Sequence, residues 1–196
     1  VSREGISHMF KYMRLESYDD TLDNLVPVIS EGQQKALNLA HKDAQEEYKL
    51  KYMLDFETKG SLLNIQQFSD PFNYTINIRK DDELKPCKVD LVETFNYLIG
   101  LWVDKIDNIE DFKVITGKLR TGEKTLVIWR NTKEKSNKDL DKFFDKLRIK
   151  IKDSEYDFIY VNGDNNLENK RLDEDKWKVK LIEEEFMKKM FETEGV

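Results

Sequence analysis

Apolar and polar positions along this chain recur with two periods, and the changes from one period to the other mark the expected elements. From Gln33 to Glu57, Leu37, Ala40, Ala44 and Tyr48 return every three or four residues among Lys, Glu and Gln. That spacing predicts the longest helix, with Gly60 as its stop. Upstream, Phe10 to Glu16 has strand-like content, and the stretch ESYDDTLDNL predicts a capped helical turn. Ser17 is its expected N-cap, with Asp20 at the third helical position. Tyr74, Ile76 and Ile78 alternate with Thr75, Asn77 and Arg79, the signature of a half-exposed strand. Val89 to Val103 has the widest apolar stripe, through Leu91, Val92, Phe95, Leu98, Ile99 and Trp102, and reads as the central packing helix.

In the second half, FKVITGKLR and KTLVIWR read as a hairpin joined through Thr121-Gly122-Glu123, a short loop with the glycine such a turn favours. Leu126 to Trp129 is continuously apolar, as in a strand covered on both faces. A helix with Leu140, Phe143, Phe144 and Leu147 on one side leads to the apolar strand DFIYV, which together predict a right-handed βαβ crossover. The last predicted helix, Trp177 to Phe191, turns Val179, Ile182, Phe186 and Met190 inward. Its Glu183-Glu184-Glu185 and Lys188-Lys189 form ion pairs on a solvated face. These elements predict an α/β domain: a mixed, mostly parallel sheet with helices on both faces, one βαβ unit and one β-hairpin. Residues 1–8 read as a tail or linker, and residues 9–196 as a single domain.

Composition narrows the classes. A chain of 196 residues with 39% hydrophobic and 37% charged residues can build one core inside a densely charged surface. A net charge of −6 argues against an autonomous nucleic-acid binder, which would carry a basic footprint. Cys87 is the only cysteine, so no internal disulfide forms and a reducing, cytoplasmic setting is expected. With two histidines besides, a Cys/His zinc site is excluded. No apolar run approaches the roughly 18 residues that span a bilayer, so no membrane partner is expected. No basic segment followed by an apolar one opens the chain, so no export signal is expected.

Two stretches carry candidate chemistry. In FSDPFNY, Asp70-Pro71-Phe72-Asn73 is close to the Asp/Asn/Ser-Pro-Pro-aromatic motif with which amino-methyltransferases grip a flipped base. The second proline is replaced by Phe72, however, and Asn73 cannot stack on a base. None of the eight glycines forms the paired loop that a methyl donor requires. The stretch therefore reads as a turn entering the strand at Tyr74. The second stretch is the pair of polar strand ends, Trp129 to Asn131 and Asn162 to Asn166. Parallel neighbours would bring Arg130 and Asn131 to face Asn162, Asp164 and Asn165 at the edge where α/β sheets collect ligands. Such a cluster suits a phosphate, a partner's backbone or the domain's own loops. Asn-Gly-Asp-Asn is also turn chemistry, and that reading outweighs the site. A metal reading of Asp164 and Glu168 lacks a third carboxylate. Tyr12, Tyr18, Tyr48 and Tyr52 read as half-buried core more readily than as base-stacking residues, and His41 reads as solvated. Phe186, Met190 and Phe191 on the last helix are docking candidates.

Seven blocks follow one another in a familiar order: FKYMRLESYDDTLDNL, YMLDFETKGSLLNI, DPFNY, VDLVETFNYLIGL, LVIWRN, DFIYVNGDNNLEN and WKVKLIEEEFMKKMF. From Phe10 to Phe191 the chain resembles the carboxyl-terminal part of adenine-specific DNA methyltransferases, the modification subunits of type III restriction–modification systems. In that family the catalytic motif, the target-recognition region and the cofactor loop lie upstream. The resemblance thus implies an accessory domain with no catalytic, cofactor-binding or metal residue of its own. S-adenosylmethionine and methyl transfer to the adenine amino group belong to the parent protein. Implied partners are the methyltransferase core of the same parent chain, a second modification subunit or a restriction subunit, and DNA through the parent. The competing expectation is a free-standing enzyme acting on a nucleotide or phosphodiester around Arg130 and Asp164.

Overall fold

The structure is a computed structural model; it describes residues 11–14, 17, 20, 26–27, 56–57, 68–81, 83–149, 155–169, 171–173 and 176–191. In chain order the described strands are β1 (Val26–Pro27), β2 (Phe56–Glu57), β3 (Thr75–Lys80), β4 (Glu83–Lys88), β5 (Trp102–Ile109) and β6 (Phe112–Lys118). They continue with β7 (Lys124–Arg130), β8 (Phe158–Val161), β9 (Arg171–Asp173), β10 (Lys176–Trp177) and β11 (Val179–Leu181). The described helices of regular length are α1 (Leu91–Leu98), α2 (Asn137–Leu147) and α3 (Ile182–Phe191).

The chain is an α/β protein built on a five-stranded sheet of order β11-β8-β7-β6-β5. Pairing is parallel for β11–β8 and β8–β7 and antiparallel for β7–β6 and β6–β5, so the sheet is mixed, without the parallel majority the sequence predicts. The expected βαβ unit is present as β7–α2–β8. The expected hairpin is β6–β7, where Gly122 turns at φ 101° and donates to the Leu119 carbonyl at 2.9 Å.

Successive strand residues point to opposite faces, so the apolar run in β7 feeds two cores. Val127 and Trp129 join Ile115, Phe158 and Tyr160 in a cluster with Leu91, Val92 and Phe95 of α1 and Ile182 and Phe186 of α3. Leu126 and Ile128 join Phe112, Val114, Ile159 and Val161 in a second cluster, with Leu140, Phe143 and Phe144 of α2. Edge-on ring contacts bind the first cluster, Phe95 to Trp129 at 5.9 Å and Phe68 to Phe186 at 5.0 Å between centroids. In the second, Phe112 stacks on Phe143 at 4.1 Å.

Several predicted boundaries move. Asp90 caps α1, accepting from the Glu93 N–H at 3.0 Å, but the helix closes at Ile99 instead of running to Val103. Gly100 enters the left-handed region at φ 66°, and Leu101 N–H returns to the Asn96 carbonyl at 2.8 Å. Trp102 and Val103 therefore open β5, an unforeseen strand, and the Trp102 side chain is 71% exposed. β4 was also unforeseen; its Pro86 is tolerated because the strand is exposed and, among the described residues, pairs with β3 alone. The last predicted helix begins only at Ile182, with Trp177 in β10 and Val179 in β11. Asn169 extends the β9–β10 pairing with its side chain, which accepts from Val179 N–H at 2.9 Å and donates to the Val179 carbonyl at 2.8 Å.

Ser17 caps its turn as expected: its hydroxyl accepts the Asp20 N–H at 3.1 Å and donates to the Asp20 carboxylate at 2.7 Å. That carboxylate also accepts the Arg79 N–H at 2.7 Å, tying the turn to β3. Lys11 to Arg14 carry no strand, and Tyr12 is exposed, not half-buried. Of the predicted helix Gln33 to Glu57, only Phe56–Glu57 is described, and it pairs with β1 as a strand. The rest of that helix lies outside the described residues, as do Gly60, Tyr18, Tyr48, Tyr52 and His41.

Candidate functional site

Because β7, β8 and β11 are parallel, Arg130, Asn162 and the start of α3 meet at one edge of the sheet. Asn162 is fully buried there. Its Oδ1 accepts the Arg130 N–H at 2.8 Å, and its Nδ2 donates to the carbonyls of Arg130 at 2.8 Å and Phe68 at 3.2 Å. One carboxamide thus pairs with both backbone groups of Arg130 as a further strand residue would. It also fastens the segment before the Asp70 turn.

Arg130 is only 1% exposed. Its Nη2 donates to Asn137 Oδ1 at 2.8 Å and to the Asp164 carbonyl at 2.7 Å, while Nε and Nη1 are buried without a hydrogen-bond partner among the described residues. Burial pulls its pKa down, and the nearby negative charges of Glu183, Asp141, Asp164 and Asp139 oppose that pull. Glu183 Oε1 accepts the Gly163 N–H at 2.8 Å, and Oε2 is buried without a partner among the described residues. Burial pushes this carboxyl above its ordinary range, against the opposing effects of the Gly163 N–H and Arg130. Glu183 therefore does not sit on the solvated face the sequence predicts for it.

Between them, Gly163 takes φ 70°, and a Cβ there would lie 2.6 Å from the Thr132 methyl. Thr132 in turn donates its N–H to the Ser69 carbonyl at 2.8 Å. Three loops are thereby stitched into one knot.

Of the five strand-end candidates, the fold brings Arg130, Asn162 and Asp164 together, and Asp164 takes part through its carbonyl. Its carboxylate accepts the Asn165 N–H at 2.9 Å, and Asn165 Oδ1 accepts the Leu167 N–H at 3.2 Å, both within the loop's own turns. Asn131 does not join them; its Oδ1 accepts the Lys133 N–H at 3.0 Å in the turn leading to α2. Sequence reasoning missed Glu183, Asn137 and Gly163 as members. The available signal was helical phase: Glu183 lies between Ile182 and Phe186, at the border of the inward face.

Asp164 and Asn165 also line a cleft of about 540 Å3 with Asn169, Trp177, Lys180 and Glu184, and Arg130 is not in its wall. Asn131 lines another depression, of about 640 Å3, with Asp70, Phe72, Asn73, Asp111 and Lys113. There the FSDPFNY stretch is a closed turn. Asn73 Nδ2 donates to the Asp70 carboxylate at 3.1 Å, and Phe72 lies half-buried beneath Lys113 Nζ, 5.8 Å from its ring centre. Among the described residues no group of three or more His, Cys, Asp or Glu gathers as for a metal.

The docking candidates need correction. Phe186 is fully buried edge-on to Phe68, so its ring is part of the core and unavailable to a partner. Met190 is partly buried against the same cluster. Phe191 ends α3, and its side chain lies outside the described ones.

Fold and site together define an α/β domain whose parallel strand ends are closed by its own side chains. Protein-family models, curated proteins and solved structures show no match to this chain.

Proposed function

We propose that the chain is a non-catalytic carboxyl-terminal accessory domain of a type III-like, adenine-specific DNA methyltransferase. The parent transfers a methyl group from S-adenosylmethionine to the adenine amino group. This domain serves its assembly in the cytoplasm, packing on the methyltransferase core and on a second modification subunit or a restriction subunit. The same proposal takes helices as lying on both faces of the sheet, α2 with the cluster of Leu126 and Ile128, α1 and α3 with that of Val127 and Trp129. The carrying observation is the closed strand edge: Asn162 is spent on Arg130 and Phe68, and Arg130 on Asn137 and the Asp164 carbonyl. The ordered sequence blocks and the net charge of −6 point the same way, favouring contact with protein over contact with DNA.

A free-standing nucleotide or phosphodiester enzyme would need Arg130 to reach a ligand. Its near-complete burial weighs against that. Calorimetric titration of the chain with S-adenosylmethionine and with an adenine-containing duplex tests the proposal. Neither is expected to bind at physiological salt. Deleting the domain from the parent should leave donor binding intact and weaken subunit assembly. Donor binding by this chain alone would overturn the reading.

A further inference from the structure

The two edges of the five-stranded sheet are treated differently. At β11 the outward backbone groups of Val179 are taken by the Asn169 carboxamide. At the other edge β5 pairs, among the described residues, with β6 alone and, at eight residues, is the longest described strand. The β5–β6 turn has two residues, Glu110 at φ 51° and Asp111 at φ 68°, the geometry of a type I′ hairpin. In such a hairpin the flanking pair, Ile109 and Phe112, exchanges both backbone hydrogen bonds. Bonding then alternates: Ile109, Asp107 and Lys105 face β6, whereas Asn108 and Ile106 aim N–H and C=O away from the sheet. A register shift between Val103 and Lys105 confines the irregularity to the start of the strand. The Ile106 side chain is 47% exposed.

We propose that β5 is a self-association edge: a second copy of this chain pairs antiparallel to it across a twofold axis through Ile106, joining the two five-stranded sheets. In that register Ile106 lies beside Ile106 of the second copy, clear of the irregularity before Lys105. Lys105 stands opposite Asp107 of the copy, and Asp107 opposite its Lys105. Within one chain these two side chains already pair at 2.8 Å, so the axis gathers four charges of alternating sign and zero sum. A twofold through Asn108 instead would set Ile106 against Glu110 and run past the turn. Exposed lysine usually discourages edge pairing, but here it meets its complement. The inference needs only the sheet and does not rest on the methyltransferase reading.

Sedimentation velocity of the full chain over a wide concentration range should show the 23.3 kDa monomer giving way to a species of twice that mass. Lys105→Asp and Asp107→Lys each place like charges across the axis and should abolish the dimer. The double swap Lys105→Asp/Asp107→Lys should restore it, with circular dichroism unchanged throughout. In a Cys87→Ser background, Ile106→Cys should form an interchain disulfide, because bonded antiparallel pairs place their Cα atoms about 5.5 Å apart. Asn108→Cys should not. A chain that stays monomeric without cross-linking, or a dimer indifferent to the charge reversals, overturns the proposal. So does equal cross-linking at Ile106 and Asn108, and so does capture of a strand from an unrelated protein in place of self-pairing.

Discussion

Asn162 and Glu183 are polar side chains whose value to the fold comes from having defined partners in a dry place. Replacing Asn162 with alanine leaves the Arg130 N–H and two carbonyls unpaired where water does not reach. The expected loss is at least about 2 kcal/mol, read as a lower urea midpoint with an unchanged slope. Glu183 makes stability depend on pH. Its folded pKa is raised by burial, so the folded chain holds the proton to higher pH than the unfolded chain does. The stability this adds is complete below the unfolded value and is lost as pH rises through the folded one. Urea midpoints measured across that window should fall for the native chain and level out for Glu183→Gln. An identical slope in both would refute the assignment.

At the scale of elements, caps and turns decide what periodicity leaves open. Ser136 and Asp139 form a reciprocal capping box at the start of α2, and Ser136→Ala should cost about 1 kcal/mol in thermal or urea unfolding. Gly163→Ala should cost more, because the new methyl meets Thr132 and the backbone sits at positive φ. The same hierarchy explains what the sequence made legible. The β6–β7 hairpin and the β7–α2–β8 unit are readable because the glycine loop at Thr121-Gly122-Glu123 separates two strand runs and the period turns helical between β7 and β8. The apolar stripe ending at Trp102 was misread, because it continues without a break through Gly100, and only a left-handed turn there separates helix from strand. β4 carries a proline and little apolar content, so no strand pattern announced it. At the site, convergence of Arg130 with Asn162 followed from parallel pairing. That Asp164 would contribute its carbonyl, and Glu183 a buried carboxylate, depended on loop geometry that residue types do not encode.

For the molecule as a whole, the first cluster holds together parts distant in the chain: Phe68 from the segment before β3, α1, the sheet and α3. Phe186, with Ile182, carries α3 into that cluster. Phe186→Ala should destabilise the protein by about 3–5 kcal/mol, seen as a lowered melting temperature with loss of near-ultraviolet dichroism from the Phe68 and Trp129 surroundings. Keeping most of the apolar volume with Phe186→Leu should recover part of this. A small effect of the alanine would mean that α3 contributes little to the core.

The fully buried Asn162 next to Gly163 also bears on how the protein ages. Asn-Gly is the sequence in which the following backbone nitrogen most readily attacks the side-chain amide, releasing ammonia through a succinimide. Here that nitrogen donates to Glu183 and the amide is clamped by three backbone groups, so the folded chain should resist the reaction while an unfolded one undergoes it. Isoaspartate at position 162, found by peptide mapping after storage, would thus record how much time a sample had spent unfolded.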